Sequence, residues 1–257
     1  MIDSHAHVSM FEEGERAGVL GRATAAGVSR ILAPATGPDD LDAVLELAAV
    51  WPERIVVAIG VHPHEARHLG PALKRRIEAA VRAPGVVAVG EIGLDYHYDH
   101  SPRDEQRRAL SWQLGLAIET GLPAVFHHRE AWADFLALLD GFPGVRGVAH
   151  SFTEGSAGAV EMNARGLMVG ISGMVTFPRA DNIREAAAAV REGWLLVETD
   201  SPYLAPVPHR GRRNEPAYVR LVAEEVARVR GVPPADLERQ TDDAFSRLFR
   251  VSDSRGA

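Results

Sequence analysis

The sequence predicts a parallel (β/α)8 barrel of the TIM-barrel type, an α/β fold formed by a single domain over residues 1–257. Short apolar runs alternate with segments of helical periodicity from one end of the chain to the other. Successive residues within these runs are apolar, which is typical of parallel strands that are buried on both faces. The length of 257 residues is close to the roughly 250 residues typical of this barrel. A doubly wound open sheet is the alternative arrangement of the same elements.

Eight strands are predicted where short apolar runs end at polar residues. In chain order they are Met1–Ile2, Arg30–Pro34, Ile55–Val61, Val86–Gly90, Pro123–Phe126, Val145–Ala149, Leu167–Ile171 and Leu195–Val197.

Helices are predicted between these strands from apolar residues at helical spacing. Asp39 or Asp40 is expected to cap the second helix, and Gly121 is expected to end the fourth. The predicted helices are Glu12–Ala26, the segment from residue 39 or 40 to Val50, Pro71–Arg82, Arg103–Thr120, Glu130–Leu139, Ser156–Arg165, Asn182–Val190, Glu215–Arg230 and Pro234–Phe249.

The composition is that of a globular protein with a sizeable core. Hydrophobic residues make up 46% of the chain and charged residues 25%, and no break in composition marks a second domain. We expect Ser252 to Ala257 to form a frayed tail. Without a leader or an apolar stretch near the ~20 residues of a membrane helix, we expect a cytoplasmic protein with no membrane association. No obligate protein partner is evident.

Two further features of the composition limit the chemistry. The chain has no cysteine, so disulfides, thiolate zinc sites and cysteine nucleophiles are excluded. The net charge of −7 gives no overall attraction to nucleic acid, so a polyanion would need a local basic patch or bound metal ions. Any metal must be held by nitrogen and oxygen atoms.

Side chains that bind metals recur at the ends of the predicted strands. Because the carboxyl ends of parallel strands meet at one end of a barrel, these side chains are expected to share one pocket. Four imidazoles and two carboxylates there predict a divalent-metal site, with room for two ions. The residues are His5, His7, Glu91, His127, His150 and Asp200.

Each of these residues has an ordinary structural alternative. Glu91 follows four nonpolar residues, and a solitary buried glutamate there is more often paired with an arginine. Only one of the adjacent His127 and His128 can face the pocket if the strand continues, and we assign His127 to the pocket and His128 to its wall. Lone histidines such as His150 are often hydrogen-bonded structural residues, and Asp200 is equally suited to cap a turn before Pro202.

Other polar residues lie beside the six. Asp3 either hydrogen-bonds a ligand imidazole or caps a turn, and Glu198 is expected deeper than Asp200 on the same strand face. His62 is a candidate substrate contact at the end of the third strand, where His64 is either a mouth or a surface residue.

The lysine content bears on how two ions would be bridged. Some barrel hydrolases bridge two metals with a carboxylated lysine on the fourth strand, whereas Lys74 is the single lysine here and lies in a predicted surface helix. Glu91 holds the corresponding place on the fourth strand and becomes the candidate bridge.

Eight short motifs occur in order along the whole chain and are specific in combination. They are Ile2–His7, Gly60–His64, Gly90–Tyr96, Phe126–Ala131, His150–Phe152, Gly173–Phe177, Glu198–Pro206 and Arg210–Pro216. In these motifs the chain resembles the TatD family of metal-dependent hydrolases, within the wider amidohydrolase-like barrels.

Nitrogen and oxygen ligands suit Zn, Mn, Fe or Mg as the two divalent ions, and the histidines favour the transition metals over Mg. The resemblance implies that the first ion is held by His5, His7, Glu91 and Asp200, and the second by Glu91, His127 and His150. The sequence departs from the family pattern at a few positions. These are Ser4, Ala6 and Val8, where relatives often carry Thr, Cys and Leu-Asp, and His128, which replaces a small residue.

The resemblance also implies a deoxyribonuclease, often a 3′ to 5′ exonuclease, with single-stranded DNA as substrate and partner. In such hydrolysis Asp200 is the expected proton acceptor and Glu91 the second catalytic carboxylate. Nearby cations are the candidate phosphate contacts, with surface ion pairs as the alternative role. These candidates are Arg129, Arg210, Arg212 and Arg213, with His209; candidate base-stacking residues are Tyr96, Tyr98, Phe177 and Tyr203.

Two other functions remain open from the residues alone. The same site would serve an esterase, amidase or deacylase, acting for example on misacylated tRNA or a small acyl compound. A non-catalytic metal-binding protein is the third reading, and it would require the water position to be blocked.

Overall fold

The structure is a computed structural model that describes residues 1–251, so the predicted tail at 252–257 lies outside the described residues. Eight parallel strands form one sheet in chain order, which confirms the predicted barrel. The strands are β1 (Ile2–Asp3), β2 (Arg30–Pro34), β3 (Ile55–Ile59), β4 (Val86–Asp95), β5 (Ala124–Arg129), β6 (Gly147–Ala149), β7 (Leu167–Ile171) and β8 (Leu195–Val197).

Helices connect and surround the strands. Those of the described residues are α1 (Glu13–Ala25), α2 (Leu41–Val50), α3 (Pro71–Ala80), α4 (Arg103–Thr120), α5 (Trp132–Asp140), α6 (Gly155–Ala164), α7 (Asp181–Ala189), α8 (Val219–Arg230) and α9 (Pro234–Phe249). Gly121 ends α4 in the left-handed conformation, with φ of 68°, as predicted. Asp40 precedes α2 but does not cap it, because its carboxylate accepts from the backbone N–H groups of Thr36 and Gly37. No helix among residues 1–251 is both long enough and apolar enough to cross a lipid bilayer.

The strands bury apolar side chains on both faces. Alternate residues such as Leu32, Val56 and Leu196 point into the barrel, where Phe245 and Phe249 of α9 pack against them. The other face of each strand packs under the surrounding helices. Because α9 covers the interior from the amino-terminal end of the strands, the carboxyl-terminal end is left for a site.

The barrel is closed by the segments that follow β1 and β8. The backbone N–H of Ser4 donates to the carbonyl of Val197 at 3.1 Å, and Ala6 forms a parallel bridge with Ser201. The N–H of Asp200 donates to the carbonyl of His5 at 2.9 Å. Closure therefore brings the end of the first strand segment directly against the residues that follow β8.

The fourth strand is longer than predicted. Val86–Gly90 was expected, but pairing with β5 continues from Ile92, opposite Phe126, to Asp95, opposite Arg129. The register shifts between Gly90 and Ile92, so Glu91 lies at an irregularity inside β4 and not beyond its end. A polar residue within a buried strand was the reason the prediction stopped too early.

Candidate metal centre

Six polar side chains from five parts of the barrel meet at its carboxyl-terminal end. Two come from the segment after β1, one from β4, one from β5, one from the residue after β6 and one from the loop after β8. These are the six predicted residues, His5, His7, Glu91, His127, His150 and Asp200, which we call the His/carboxylate cluster. Glu91 is 1% exposed, so its carboxylate depends on the cluster for partners.

The carboxylate of Glu91 lies between two pairs of histidines. Its Oε2 atom is 3.2 Å from His5 Nε2 and 3.6 Å from His7 Nε2. Its Oε1 atom is 2.8 Å from His150 Nε2 and 3.2 Å from His127 Nδ1. Each oxygen of the carboxylate therefore faces a different pair of imidazoles.

The first pair is joined by Asp200. His5 Nε2 and His7 Nε2 are 3.3 Å apart, and Asp200 Oδ1 is 3.4 Å from His7 Nε2 and 3.8 Å from His5 Nε2. The donor atoms of the three residues all lie within 4.8 Å of one another. Four atoms thus face one point: Nε2 of His5, Nε2 of His7, Oδ1 of Asp200 and Oε2 of Glu91.

The second pair has His62 as a neighbour. His127 Nδ1 and His150 Nε2 are 3.3 Å apart, and His62 Nε2 is 3.5 Å from Glu91 Oε1. The ligand atoms of His62, Glu91 and His127 also lie within 4.8 Å of one another. His62 therefore lies beside Glu91 within the cluster, and not at the mouth of the pocket.

Two carboxylates support the cluster from below. Glu198 Oε1 accepts from the N–H of Ser151 at 2.5 Å and lies 3.4 Å from His150 Nδ1, on the side of the ring away from Glu91. Asp3 accepts from the hydroxyl of Thr199 at 2.6 Å and from the backbone N–H of His5 at 3.3 Å. Asp3 thus holds the backbone of a cluster residue and not its imidazole.

Asp95 is a residue that the sequence reasoning missed. Its Oδ2 atom is 3.1 Å from His127 Nε2 and 3.0 Å from His64 Nε2, while Oδ1 accepts from the N–H groups of His97 and Tyr98. Asp95 fixes the ring of His127 with Nδ1 toward Glu91. No local signal pointed to this role, because the predicted fourth strand ended at Gly90 and only pairing with β5 extends β4 to residue 95.

The cluster strongly shifts the acidity of its members. Burial by itself would raise the pKa of Glu91, but the nearby His150, His5 and His62 hold it well below its ordinary value. The pKa of Asp200 is likewise lowered, because the hydrogen bond from His7 and the nearby imidazoles outweigh burial. Burial lowers the pKa of His62 well below its ordinary value. Both carboxylates are therefore ionised at neutral pH.

The donor set fits divalent metal ions. Tetrahedral coordination at about 2.0–2.1 Å places ligand atoms about 3.4 Å apart, and most separations within the two groups fall between 2.8 and 3.6 Å. Glu91 Oε2 is buried and has no well-directed hydrogen bond. A cation between the groups would satisfy the nitrogen and carboxylate atoms that face it.

Unlike His62, the arginines predicted as substrate contacts lie on the surface around the mouth. Arg129 is exposed at the end of β5 with its guanidinium 4.8 Å from the ring of Tyr98, and Arg210 is exposed with its guanidinium 4.5 Å from the ring of Phe177. Arg212 is exposed in the same loop as Arg210.

Other candidates are already occupied by neighbouring groups. Arg213 pairs with Glu15 at 2.8 Å, and Tyr96 donates its hydroxyl hydrogen to Asp134 at 2.7 Å. His128 is buried between β5 and α5, beside Trp132, as a wall residue.

Comparisons with known proteins agree with this arrangement. A family model described as TatD related DNase matches residues 2–250. The chain is 38% identical to an uncharacterised metal-dependent hydrolase, YcfH, of Escherichia coli K12, over 99% of this chain and 97% of the relative. It is 37% identical to a 3′-5′ ssDNA/RNA exonuclease, TatD, of Pectobacterium carotovorum, over 95% of this chain and 96% of the relative.

The fold comparison leads to the same family. The crystal structure of YJJV, a TatD homologue of Escherichia coli K12, superposes with a TM-score of 0.91 at 30% identity, covering 98% of both chains. The barrel and its His/carboxylate cluster define a metal-dependent hydrolase. The chain belongs to the TatD family of DNase-related enzymes.

Proposed function

We propose that this enzyme hydrolyses phosphodiester bonds of single-stranded DNA, as a 3′ to 5′ exonuclease that uses two divalent metal ions. The observation that carries the proposal is the position of Glu91, whose two oxygens face separate histidine pairs at 2.8 to 3.6 Å. A carboxylate in that position is suited to bridge two cations. No lysine lies in β4, so Glu91 has no competitor there for this role.

The ligand sets of the two ions follow from these contacts. His5, His7, Asp200 and Glu91 would hold the first ion. His127, His150 and Glu91 would hold the second, with His62 beside it. Nitrogen-rich donors favour transition metals such as Zn, Mn or Fe over Mg. When bound, such ions supply charge neutralisation at the phosphodiester and increase the acidity of water.

The residues of the chain supply proton transfer and substrate binding. Asp200 is ionised and 12% of its side chain is exposed, so it can accept a proton from the attacking water. Arg129, Arg210 and Arg212 lie exposed around the mouth and would contact phosphates of the bound strand.

The choice of DNA as substrate is supported by relatives. Several proteins that are 36–39% identical are named as 3′-5′ exonucleases of single-stranded DNA and RNA. The negative net charge does not oppose this, because the arginines at the mouth give a local positive rim.

The test is hydrolysis of end-labelled oligonucleotides by the metal-loaded enzyme. We expect stepwise shortening from the 3′ end, blocked by a 3′-terminal phosphorothioate linkage and abolished by chelator. Asp200→Asn should lower the rate roughly 10²- to 10⁴-fold, the range for loss of a general base. The matched control is Asp140→Asn, which changes an exposed aspartate paired with Arg165 on α5 and should keep full activity.

A different substrate class would give a distinct result. Intact DNA together with hydrolysis of an ester or amide by the same metal-loaded preparation would replace the nuclease with an acyl hydrolase. Full DNase activity of Asp200→Asn would remove that residue from the mechanism while leaving the substrate proposal standing.

A further inference from the structure

An exposed group of rings lies beside the cluster on the loop after β4. Tyr98 is 51% exposed, although it is a large aromatic residue. The ring of His100 lies parallel to it, with 4° between the planes and 5.5 Å between the centroids. The guanidinium of Arg129 lies 4.8 Å from the same ring. We call Tyr98, His100 and Arg129 the Tyr98 platform.

The platform is continuous with the cluster. His64 meets Tyr98 edge-on with centroids 5.6 Å apart, and His64 and His62 are 4.3 Å apart. His62 in turn lies 3.5 Å from Glu91. Arg129 follows His127 by two residues on β5, a rise of about 6.6 Å on the same strand face. A nucleotide whose phosphate lies at the cluster would therefore have its neighbour at the platform.

The position of Tyr98 is fixed before any ligand binds. Its backbone N–H donates to Asp95 Oδ1 at 2.9 Å, and the same carboxylate oxygen accepts from the N–H of His97. Asp95 also contacts His127 through its other oxygen. The buried carboxylate of Asp95 thus fixes both the imidazole of His127 and the loop that carries Tyr98. Because the loop is already held in place, less conformational entropy is lost when a ligand binds.

The composition of the platform favours a nucleobase over an apolar partner. The groups around Tyr98 are imidazoles and a guanidinium, which stack on flat aromatic faces and also carry hydrogen-bond donors. Within residues 1–251, Arg129 forms no ion pair with a carboxylate, so its charge is available to a phosphate. Stacking and phosphate contact together are the two elements of single-strand binding sites.

The other exposed aromatic residue at the mouth is less suited to this role. Tyr203 is 53% exposed, but its hydroxyl contacts Met10 Sδ at 3.3 Å and its ring meets His7 edge-on at 6.1 Å. Phe177, in the segment after β7, is only partly exposed and packs against the hydrophobic core.

We propose that the Tyr98 platform binds the unpaired base of the nucleotide next to the scissile phosphate, with Arg129 on the adjoining phosphate. This proposal rests on the proposed action on single-stranded DNA. It assigns base contacts to the loop after β4 and leaves the metal ligands as described.

The test separates base binding from backbone binding. Fluorescence anisotropy would follow the metal-loaded enzyme binding two labelled oligonucleotides with phosphorothioate linkages, one of thymidylates and one with abasic residues in their place. We expect Tyr98→Ala to weaken thymidylate binding roughly 5- to 100-fold, the range for loss of one base stack, and to leave abasic binding unchanged. Tyr98→Phe should retain binding, and Arg129→Gln should weaken both oligonucleotides.

The control is Val50→Ala, which changes a residue of similar exposure at the far end of α2 and should alter neither affinity. Tyr98→Ala should also retain the wild-type metal affinity, which shows that the cluster is intact. Equal effects on both oligonucleotides, or no effect on either, would overturn the platform. A wild-type enzyme that binds and cleaves no single-stranded DNA would overturn the nuclease proposal and the platform together, so the two failures are distinguishable.

Discussion

A single charged side chain organises the cluster because it is buried where charge is costly. Glu91 has almost no contact with water, and an isolated carboxylate there would take up a proton. The surrounding imidazoles lower its pKa, so it remains an anion that faces two histidine pairs. A cation between the pairs would stabilise this buried anion further.

Asp95 is predicted to strengthen metal binding at the half of the cluster that contains His127 and His150. Asp95→Asn keeps the size of the side chain but removes the charge that accepts from His127 Nε2. Affinity for the ion beside His127 and His150 should fall roughly 10- to 100-fold, the usual cost of losing such a partner. Competition with a chromophoric chelator measures both affinities. Asp99→Asn, an exposed aspartate of the same loop, is the control, and unchanged affinity in Asp95→Asn would contradict the assignment.

At the scale of elements, the backbones of β4 and β5 approach each other so closely at Gly93 that no side chain would fit there. Gly93 has a φ of 151°, and a side-chain carbon there would overlap the carbonyl oxygen of His127. The close pairing is what brings Glu91 and Asp95 of β4 onto His127 of β5. A glycine at this position is therefore required by the geometry of the site.

Gly93→Ala should consequently cost stability and distort the cluster. We expect a loss of about 3 kcal/mol or more in the free energy of unfolding, because backbone strain and overpacking add. Urea unfolding compares it with Gly21→Ala, an exposed position of α1 with open space around it, where alanine should stabilise by about 1 kcal/mol. Similar stability of the two variants would show that β5 can move to accommodate the side chain.

The contact between β5 and α5 predicts a pH dependence. His128 is buried beside Trp132 and Phe135, and burial lowers its pKa to about 3. Below the unfolded pKa of about 6.5, the unfolded chain binds a proton that the folded chain does not. This residue therefore makes the fold less stable as pH falls from 6.5 toward 3, by about 2 kcal/mol at pH 5.

The variant His128→Leu should lack this loss of stability at low pH. Urea unfolding of both metal-free proteins at pH 7.5 and pH 5.0 measures the difference, and the wild type should lose about 2 kcal/mol more than the variant. Parallel pH dependence in the two proteins would mean that water reaches His128 in the folded state.

At the scale of the whole molecule, the sequence predicted the barrel and the cluster because both follow from local patterns. Strands such as Leu167–Ile171 are apolar on both faces, and parallel strands place their polar ends together. The extension of β4 and the role of Asp95 were not predictable in this way. They depend on pairing with β5, more than thirty residues later in the chain, which no local pattern encodes.

The same whole-molecule view predicts that metal removal weakens the fold. The cluster joins segments from β1 to β8, so ions bound there would link the first and last strands of the barrel, and the unfolded chain cannot assemble the site. An ion at a free concentration of 100 times its Kd stabilises the fold by about 2.7 kcal/mol. For a chain of this length, that raises the Tm by about 5 to 10 °C per ion.

Thermal unfolding at one scan rate, with and without chelator, measures this shift in Tm. Glu91→Gln should lose most of it because both ion sites share that carboxylate, whereas Glu161→Gln, an exposed change on α6, should retain it. A wild-type Tm that chelator leaves unchanged would show that the cluster holds no ion tightly enough to stabilise the barrel.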